Sequence, residues 1–479
     1  MKNYTWGLMK FDGKYLIEQG FKPGPIFKDI MREVNDLEDL DHISIEDQIQ
    51  DVLYRYKSEL TKKEADLKAR IIPLRDNALM QPIRFNIATQ KEADQENLEK
   101  VSDRMWELNK TPTIEASCIM PDACPTGPHS VPVGAVIGAR NTIHPGWHSA
   151  DICCSMFASN FGKTDPKKLL DSIYYVTHFG PGGRQHTATF SLPPLLAYQL
   201  NFGKHFATKF FGDRKIQHLA RSHFATQGDG NHFAFVGQSE SNGDTWLITH
   251  HGSRGFGARL YKLGMQVAEE YRKEICPDLH KNDAWIPADT EDGEQYWQSL
   301  QIIREWTKCN HYALHYMTSQ EVSAKIVEQR WNEHNFVFKE DDVYWHGKGA
   351  TPIHDPFLPD TDGIQIIPLN MAEPILFVKG KRNKVNMGFA PHGAGRNVSR
   401  TAHKKTLTHL TTEEILAKEV PDLDVRFWCG TPDISELPSA YKDAHWIQEQ
   451  MTKFDLATVV DRIKPYGTIM AGQRKKRRR

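Results

Sequence analysis

EASCIMPDACPTGPHSVPVGAVIGARNTIHPGWHSADICCSMFASNF, residues 115–161, is a chain of short apolar runs broken by Gly, Pro and His. Runs such as SVPVGAVIGA and DICCSMFASNF predict strands separated by turns. The same pattern returns in WLITHHGSRGFG (246–257), DVYWHGKGATPI (342–353), GIQIIPLN (363–370) and ILFVKG (375–380). Between these lie amphipathic helical stretches, ARLYKLGMQVAEEYRKEI (258–275) and SLQIIREWTKCNHYALHYMTSQEVSAKIVEQRW (299–331). Strands and helices interleave too irregularly for a doubly wound parallel sheet, so the reading is α+β. The polar segment from Cys276 to Gln298 predicts an insertion loop.

Upstream of this text the chain is polar and helical. PGPIFKDIMREVNDL (23–37) predicts a short amphipathic helix with Pro at its start, and residues 45–71 continue with apolar residues at three- and four-residue steps. The expected organisation is a mainly helical N-terminal region at 1–110, a catalytic domain at 111–472 and a basic tail at 473–479. The final RKKRRR is a run of like charge that suits a solvated tail or a contact with RNA phosphates.

The 479 residues carry 60 Lys and Arg against 61 Asp and Glu, a formal net charge of −1. That excludes a bulk-basic nucleic-acid coat protein and an acidic tail protein. No apolar run approaches the roughly 18 residues of a membrane span. The opening MKNYTWGLMKFDGKYL has no apolar core, so neither a signal peptide nor a membrane association is expected. Seven cysteines, an odd and sparse set, argue against a disulfide framework and for a reducing compartment such as the cytoplasm. The 22 histidines are about twice the ordinary usage and raise the question of metal.

Several histidines stand beside Gly or small residues at predicted strand ends. Asp151 and Cys154 are three apart, close enough to face one cation, although alone they read more readily as a turn Asp and a buried Cys. Asn231 and His232 follow the turn TQGDG. His250 and His251 lead into Gly-Ser-Arg254-Gly, a turn that opens a helix and whose backbone N–H groups suit an anion. His334 follows a stretch read as helix. Lys348 lies among small residues in HGKGAT. His392 stands between Pro and Gly, followed by Arg396 and Arg400, which four-residue spacing would place on one helix face.

Singly these signals are weak, but their order is informative. MPDA, Asp-Ile-x-Cys, GNHF, HxGSRG, HN, HGKGAT, HGAGRxxSR, AYKD and RIKPYG follow one another from about Met120 to Gly472. In this series the chain resembles the RtcB-type RNA-splicing and RNA-repair ligases. The resemblance implies one large α+β domain with a dinuclear-metal cleft, plus an N-terminal helical extension.

The same resemblance implies two divalent metal ions, normally manganese, held by Asp151, Cys154, His232, His250 and His334, with Cys154 as the bridge. It implies that His392 takes up a nucleotide from GTP and passes it to an RNA 3′-phosphate, which a 5′-hydroxyl then attacks. Arg254, Lys348, Arg396 and Arg400 are implied to bind phosphates, together with Asn231, Asn370 and the Gly393, Ala394, Gly395 turn. Tyr441 matches a residue near the base. RNA and a nucleoside triphosphate are the implied partners, and an activating protein partner and the oligomeric state are left open.

The chain departs from the family text at several positions. Phe235 stands where a base-contacting Glu is usual, and Met470 where a Lys is usual. Asn370, Met371 and Ala372 replace Ser-Met-Gly, Ser155 replaces a Gly, and Cys124 replaces a His. Two lost polar contacts would relax guanine discrimination, so ATP is retained beside GTP. A metal-dependent phosphodiesterase and an RNA-binding relative without catalysis are the alternative readings. The intact His392 and five ligands argue against the last.

Overall fold

The computed structural model describes residues 5–6, 9–21, 23–24, 26–37, 44–89, 92–184, 208–212 and 214–473. The chain forms two compact units, Met1–Ile72 and Pro73–Arg479. The boundary expected near residue 110 therefore lies earlier. Residues 73–110 belong to the larger unit because their helix buries Val101, Met105 and Leu108 in its core.

The first unit holds a small hairpin, β1 (Thr5–Trp6) and β2 (Met9–Lys10), and the helices α1 (Gly13–Glu18), α2 (Ile26–Asn35) and α3 (Ile45–Arg70). Leu16, Ile30, Val34, Ile49, Val52 and Leu53 close its own small core. The spacing of Ile30 and Val34, and of Ile49, Val52 and Leu53, is that of one helix face.

The second unit opens with β3 (Ile83–Phe85), α4 (Glu92–Leu108), β4 (Ile114–Cys124), β5 (Val133–Arg140), β6 (Thr142–Ile143), β7 (Ser155–Asn160) and α5 (Pro166–Val176). It continues with α6 (Arg214–Ser222), β8 (Phe233–Ser239), β9 (Thr245–His251), α7 (Arg254–Ile275), β10 (Ile286–Pro287) and α8 (Glu291–Val322). Then come β11 (Glu328–Glu333), β12 (Asn335–Glu340), β13 (Val343–Lys348), β14 (Ala350–Pro352), β15 (Ile364–Ile367), β16 (Ile375–Lys379) and β17 (Phe389–Pro391). It ends with α9 (Arg400–Thr406), α10 (Thr412–Glu419), β18 (Asp424–Phe427), α11 (Ala444–Lys453) and β19 (Thr458–Met470).

Two sheets carry the architecture. The larger has the order β11-β7-β9-β8-β19-β16-β15, with β18 added parallel to β19. The smaller has the order β12-β13-β5-β4-β3. All neighbours are antiparallel except β18 with β19 and β3 with β4, which agrees with the α+β expectation. The strands are mostly buried on both faces, so apolar runs such as VGAVIGA are near-continuous rather than alternating.

Two local expectations are corrected. The segment from Cys276 to Gln298 is not all loop, because α8 begins at Glu291. Thr290 caps it by accepting from the Gly293 N–H at 3.1 Å, and Glu291, Asp292 and Glu294 complement the helix dipole. The helix expected to run on to Trp331 stops at Val322. Ser323 turns left-handed (φ 53°), and Glu328–Glu333 instead pairs with β7. His334 thus follows a strand, at the point where the chain crosses from the large sheet to the small one.

Among the described residues no helix is long and apolar enough to cross a membrane. The basic tail beyond residue 473 lies outside the described residues.

Candidate active site

The strand register places four of the five expected ligand positions at one end of the large sheet. Met156 on β7 pairs with His250 on β9, and His250 pairs with Phe233 on β8. Glu333 on β11 pairs with Ser155. Cys154, His232 and His334 each lie one residue beyond these pairs, so the antiparallel ladder collects them beside His250. Asp151 comes from the turn that leads into β7. Gly252 lets it approach, because a Cβ there would sit 2.1 Å from Asp151 Oδ1.

The side chains form two groups that share a single atom, the Cys154 sulfur. Cys154, His250 and His334 make one, and Asp151, Cys154 and His232 the other, with the ligand atoms of each group within 4.8 Å of one another. Cys154 Sγ is 3.2 Å from His250 Nε2 and 3.7 Å from His232 Nε2. His232 Nε2 is 3.0 Å from Asp151 Oδ2, and His250 Nε2 is 3.2 Å from His334 Nε2. His250 Nδ1 lies 3.2 Å from the Asn231 carbonyl, to which it donates, so its Nε2 keeps a lone pair for the centre of the group.

The donor set fits a cation. Nε2 of His232, His250 and His334 gather around the Cys154 sulfur, with the His250 and His334 nitrogens 3.2 Å apart, a spacing that a shared cation would account for. Burial pushes His250 down to about 3 and His334 well below its ordinary value, which favours the neutral imidazole that a metal would need. Burial works to raise the Asp151 carboxyl, but His232 and Arg254 outweigh it and the pKa ends below the usual value. Burial, and then Asp151, push the Cys154 thiol up. A divalent ion between carboxylate and sulfur relieves both burdens, and carboxylate, imidazole and thiolate together suit manganese, zinc or cobalt.

His251 points to the other face of β9, as strand alternation requires. Its ring stacks on His311 of α8 at 3.4 Å, and the Thr249 hydroxyl is hydrogen-bonded to His311 Nδ1 (2.7 Å) and His315 Nε2 (2.8 Å). Ser155 joins this layer through His311 Nε2 at 3.1 Å. Cys153 is buried with φ 58°, a packing residue in the turn.

His392 follows β17, and its ring centroid lies 5.0 Å from that of His334. One carboxylate oxygen, Asp122 Oδ2, accepts from the His392 backbone N–H (2.9 Å), from Nδ1 (2.5 Å) and from the Gly393 N–H (3.3 Å). Asp122 is fully buried while His392 is 20% exposed. The carboxylate thus holds the hydrogen on Nδ1 and leaves the Nε2 lone pair accessible. The ring lies against Gly349, which has φ 64°, and a Cβ there would sit 2.9 Å from His392 Cε1 and 3.0 Å from Nδ1. Lys442 Nζ donates to the carbonyls of Pro121 (2.9 Å) and Ala123 (2.6 Å), which clamps the segment carrying Asp122.

Beside His392 opens a cavity of about 470 Å³. Asn231, Asn370, Gly393, Ala394, Gly395, Arg396, Arg400 and Tyr441 line it. Arg254 and Lys348 do not line it. Arg254 Nη2 donates to the Gly180 carbonyl at 3.2 Å, and Lys348 Nζ donates to the Val131 carbonyl at 2.6 Å. One wall is apolar, built by Phe233, Phe235, Leu369, Met371, Ile375 and Met470, and Cys124 lies on the rim of the same cavity.

Arg396 and Arg400 do not share a helix face, because only Arg400 is helical. They meet instead at Glu436, which accepts from both. Asp122, Glu436 and Lys442 were not assigned roles from sequence. Asp122 and Lys442 lie inside the motifs MPDA and AYKD, so their positions were signalled although their partners were not.

Comparisons agree with this arrangement. The family model described as tRNA-splicing ligase RtcB matches residues 203–471. The RNA-splicing ligase RtcB of Escherichia coli K12 is 27% identical over 340 residues, covering 65% of this chain and 80% of that protein. The tRNA-splicing ligase RtcB of Archaeoglobus fulgidus is 24% identical over 422 residues, covering 74% and 87%. That of Aeropyrum pernix is 24% identical over 425 residues, covering 73% and 87%. With more than half of its length matched by the family model, the chain belongs to the RtcB family.

Proposed function

We propose that this protein is an RNA ligase that joins an RNA 3′-phosphate or 2′,3′-cyclic phosphate end to a 5′-hydroxyl end, in RNA repair or tRNA splicing. The observation that carries the reading is His392. Its Nδ1 is tied to a buried carboxylate, its Nε2 is open to the cavity, and its ring stands 5.0 Å from that of His334 in the ligand cluster.

His392 Nε2 attacks the α-phosphorus of a nucleoside triphosphate. A P–N bond forms, the bond to the bridging oxygen breaks, and pyrophosphate leaves. Asp122 keeps the Nδ1 proton through this step and stabilises the positive charge that the imidazole gains. At a 2′,3′-cyclic phosphate end, water first adds to phosphorus and the P–O2′ bond breaks, leaving a 2′-hydroxyl and a 3′-phosphate; an oxygen of the 3′-phosphate then takes the nucleotidyl group and frees the imidazole. Last, the 5′-hydroxyl attacks the activated 3′-phosphorus, the nucleoside monophosphate leaves, and the hydroxyl proton passes to solvent.

Two divalent ions, manganese by family resemblance, would be held by Asp151, Cys154 and His232 and by Cys154, His250 and His334. When bound they supply positive charge to the phosphate oxygens. None of the seven cysteines is in a disulfide, which suits the cytoplasm as the place of action.

GTP is the first choice of nucleotide. A second reading, relaxed use of ATP and GTP, is favoured by the apolar wall. Phe235 is 2% and Met470 5% exposed, and neither offers a hydrogen bond to a purine edge. Radiolabelling of His392 with each α-labelled triphosphate distinguishes the two, and labelling by GTP alone sinks the relaxed reading. His392→Ala tests the ligase itself. Ligation must vanish while RNA binding remains, and unchanged ligation refutes the covalent step.

A further inference from the structure

The two arginines of the HGAGRxxSR segment are used in different ways. Every guanidinium nitrogen of Arg396 is engaged by the protein. Nε donates to the Val398 carbonyl (3.2 Å), Nη1 to Glu436 Oε2 (3.2 Å) and Nη2 to the Ser435 carbonyl (2.8 Å). Its guanidinium also lies over the Tyr441 ring at 5.2 Å. Arg400 donates only Nε, to Glu436 Oε1, and its side chain is 52% exposed. Among the described residues its Nη1 and Nη2 have no partner. Its Nη2 would sit 3.6 Å from a Cβ on Gly230, in the loop that carries Asn231 and His232.

Glu436 lies between the arginines with a fully buried side chain. Besides both guanidinium groups it accepts from the Tyr441 hydroxyl at 2.6 Å. One carboxylate against two guanidinium groups leaves one net positive charge. Its open end is the outer edge of Arg400. Arg396 already donates from all three of its nitrogens and is 18% exposed, against 52% for Arg400.

We propose that Glu436 is a positioning residue that aims the Nη1–Nη2 edge of Arg400 across the cavity, at a phosphate group held between His392 and the 230–232 loop. Arg396 is the fixed strut of this arrangement and not a phosphate ligand. The fork of Arg400 matches two oxygens of a phosphate, and gripping Nε from behind removes the rotamer freedom that would otherwise be lost on binding. The inference rests on the reading of the cavity as a phosphate-binding site and names which arginine takes the phosphate.

A purely electrostatic role for Glu436 predicts the opposite sign, which makes the test decisive. Removing a negative charge beside an anion site should tighten anion binding, whereas removing an aiming group should weaken it. The probe is inorganic pyrophosphate, titrated calorimetrically into the full-length metal-free protein in EDTA. Glu436→Gln is expected to weaken binding about tenfold, as is Arg400→Ala, and the double variant is expected to lose no more than either alone. Glu436→Asp, which keeps the charge, should recover part of the loss.

Equal or tighter binding by Glu436→Gln overturns the proposal. So does an unchanged affinity in Arg400→Ala, whose half-exposed side chain can be removed without emptying a core. A loss from Glu436→Gln that is as large in the Arg400→Ala background as in the parent marks a general structural role and also overturns it. Because the probe undergoes no chemistry, this pattern can hold even where ligation assays fail, and such a result would count against the ligase reading alone.

Discussion

Replacing Asp122 by Asn removes a charge and keeps the shape, so it isolates what the buried carboxylate does for His392. Asp122 Oδ2 makes two bonds to His392, 2.9 Å to its backbone N–H and 2.5 Å to Nδ1. Bonds to an ionised acceptor are worth about 1–1.5 kcal/mol more than neutral ones, so the two together forfeit about 2–3 kcal/mol. At about 1.4 kcal/mol per decade that is roughly a hundredfold in rate. The amide has a second effect. If its NH2 faces Nδ1, the imidazole must accept there, Nε2 carries the hydrogen, and the lone pair is lost. A wrong tautomer of this kind costs up to about ten-thousandfold.

The rate of His392 labelling by an α-labelled triphosphate in Asp122→Asn should therefore fall between a hundredfold and ten-thousandfold. Metal content should stay close to the parent; because Oδ2 alone serves Nδ1 and both backbone N–H groups, the rotamer that puts NH2 there lowers the melting temperature along with the labelling rate. Labelling within threefold of the parent would refute the argument that Asp122 sets the tautomer.

Three further outcomes follow from the geometry. Because Cys154 belongs to both ligand groups, Cys154→Ala should abolish both ions, whereas Asp151→Asn and His334→Ala should each lower the count by one; mass-spectrometric metal analysis after dialysis reads this, and retention of one full ion by Cys154→Ala contradicts the shared sulfur. Burial holds Lys348 down at about 8 from its ordinary 10.5, so the unfolded chain binds that proton more tightly and stability rises between about pH 8 and 10.5. Lys348→Met should then melt higher at pH 7, by about 2–3 kcal/mol at most, with the advantage shrinking above pH 8, and a difference that is flat from pH 7 to 10 counts against it. Gly349→Ala puts a methyl group 2.9 Å from His392 Cε1 at φ 64°, so it should cost about 1–2 kcal/mol of stability and slow labelling at least tenfold; a parent-like labelling rate refutes the close packing.

The order of the motifs from MPDA to RIKPYG carried the resemblance to the family, and that resemblance implied the candidate nucleophile and the five candidate ligands, each of which alone reads as well as a turn or core residue. Local patterning also located β5, β7, β9, β13, β15 and β16 and the helices α2, α3, α7 and much of α8. It failed at Glu328–Glu333, where a strand was taken for helix, since pairing with β7 is a long-range event that a local window does not contain.

What only the tertiary structure decided is which groups meet. Asp122 and His392 are 270 residues apart, and nothing in MPDA says which side chain its carboxylate receives. Glu436 is 40 residues from Arg396 and 36 from Arg400, and it turns two arginines that looked alike in sequence into a strut and an open fork. Hydrogen-bond partnership depends on distances of about 3 Å, which the register of two sheets sets and the order of residues along the chain does not.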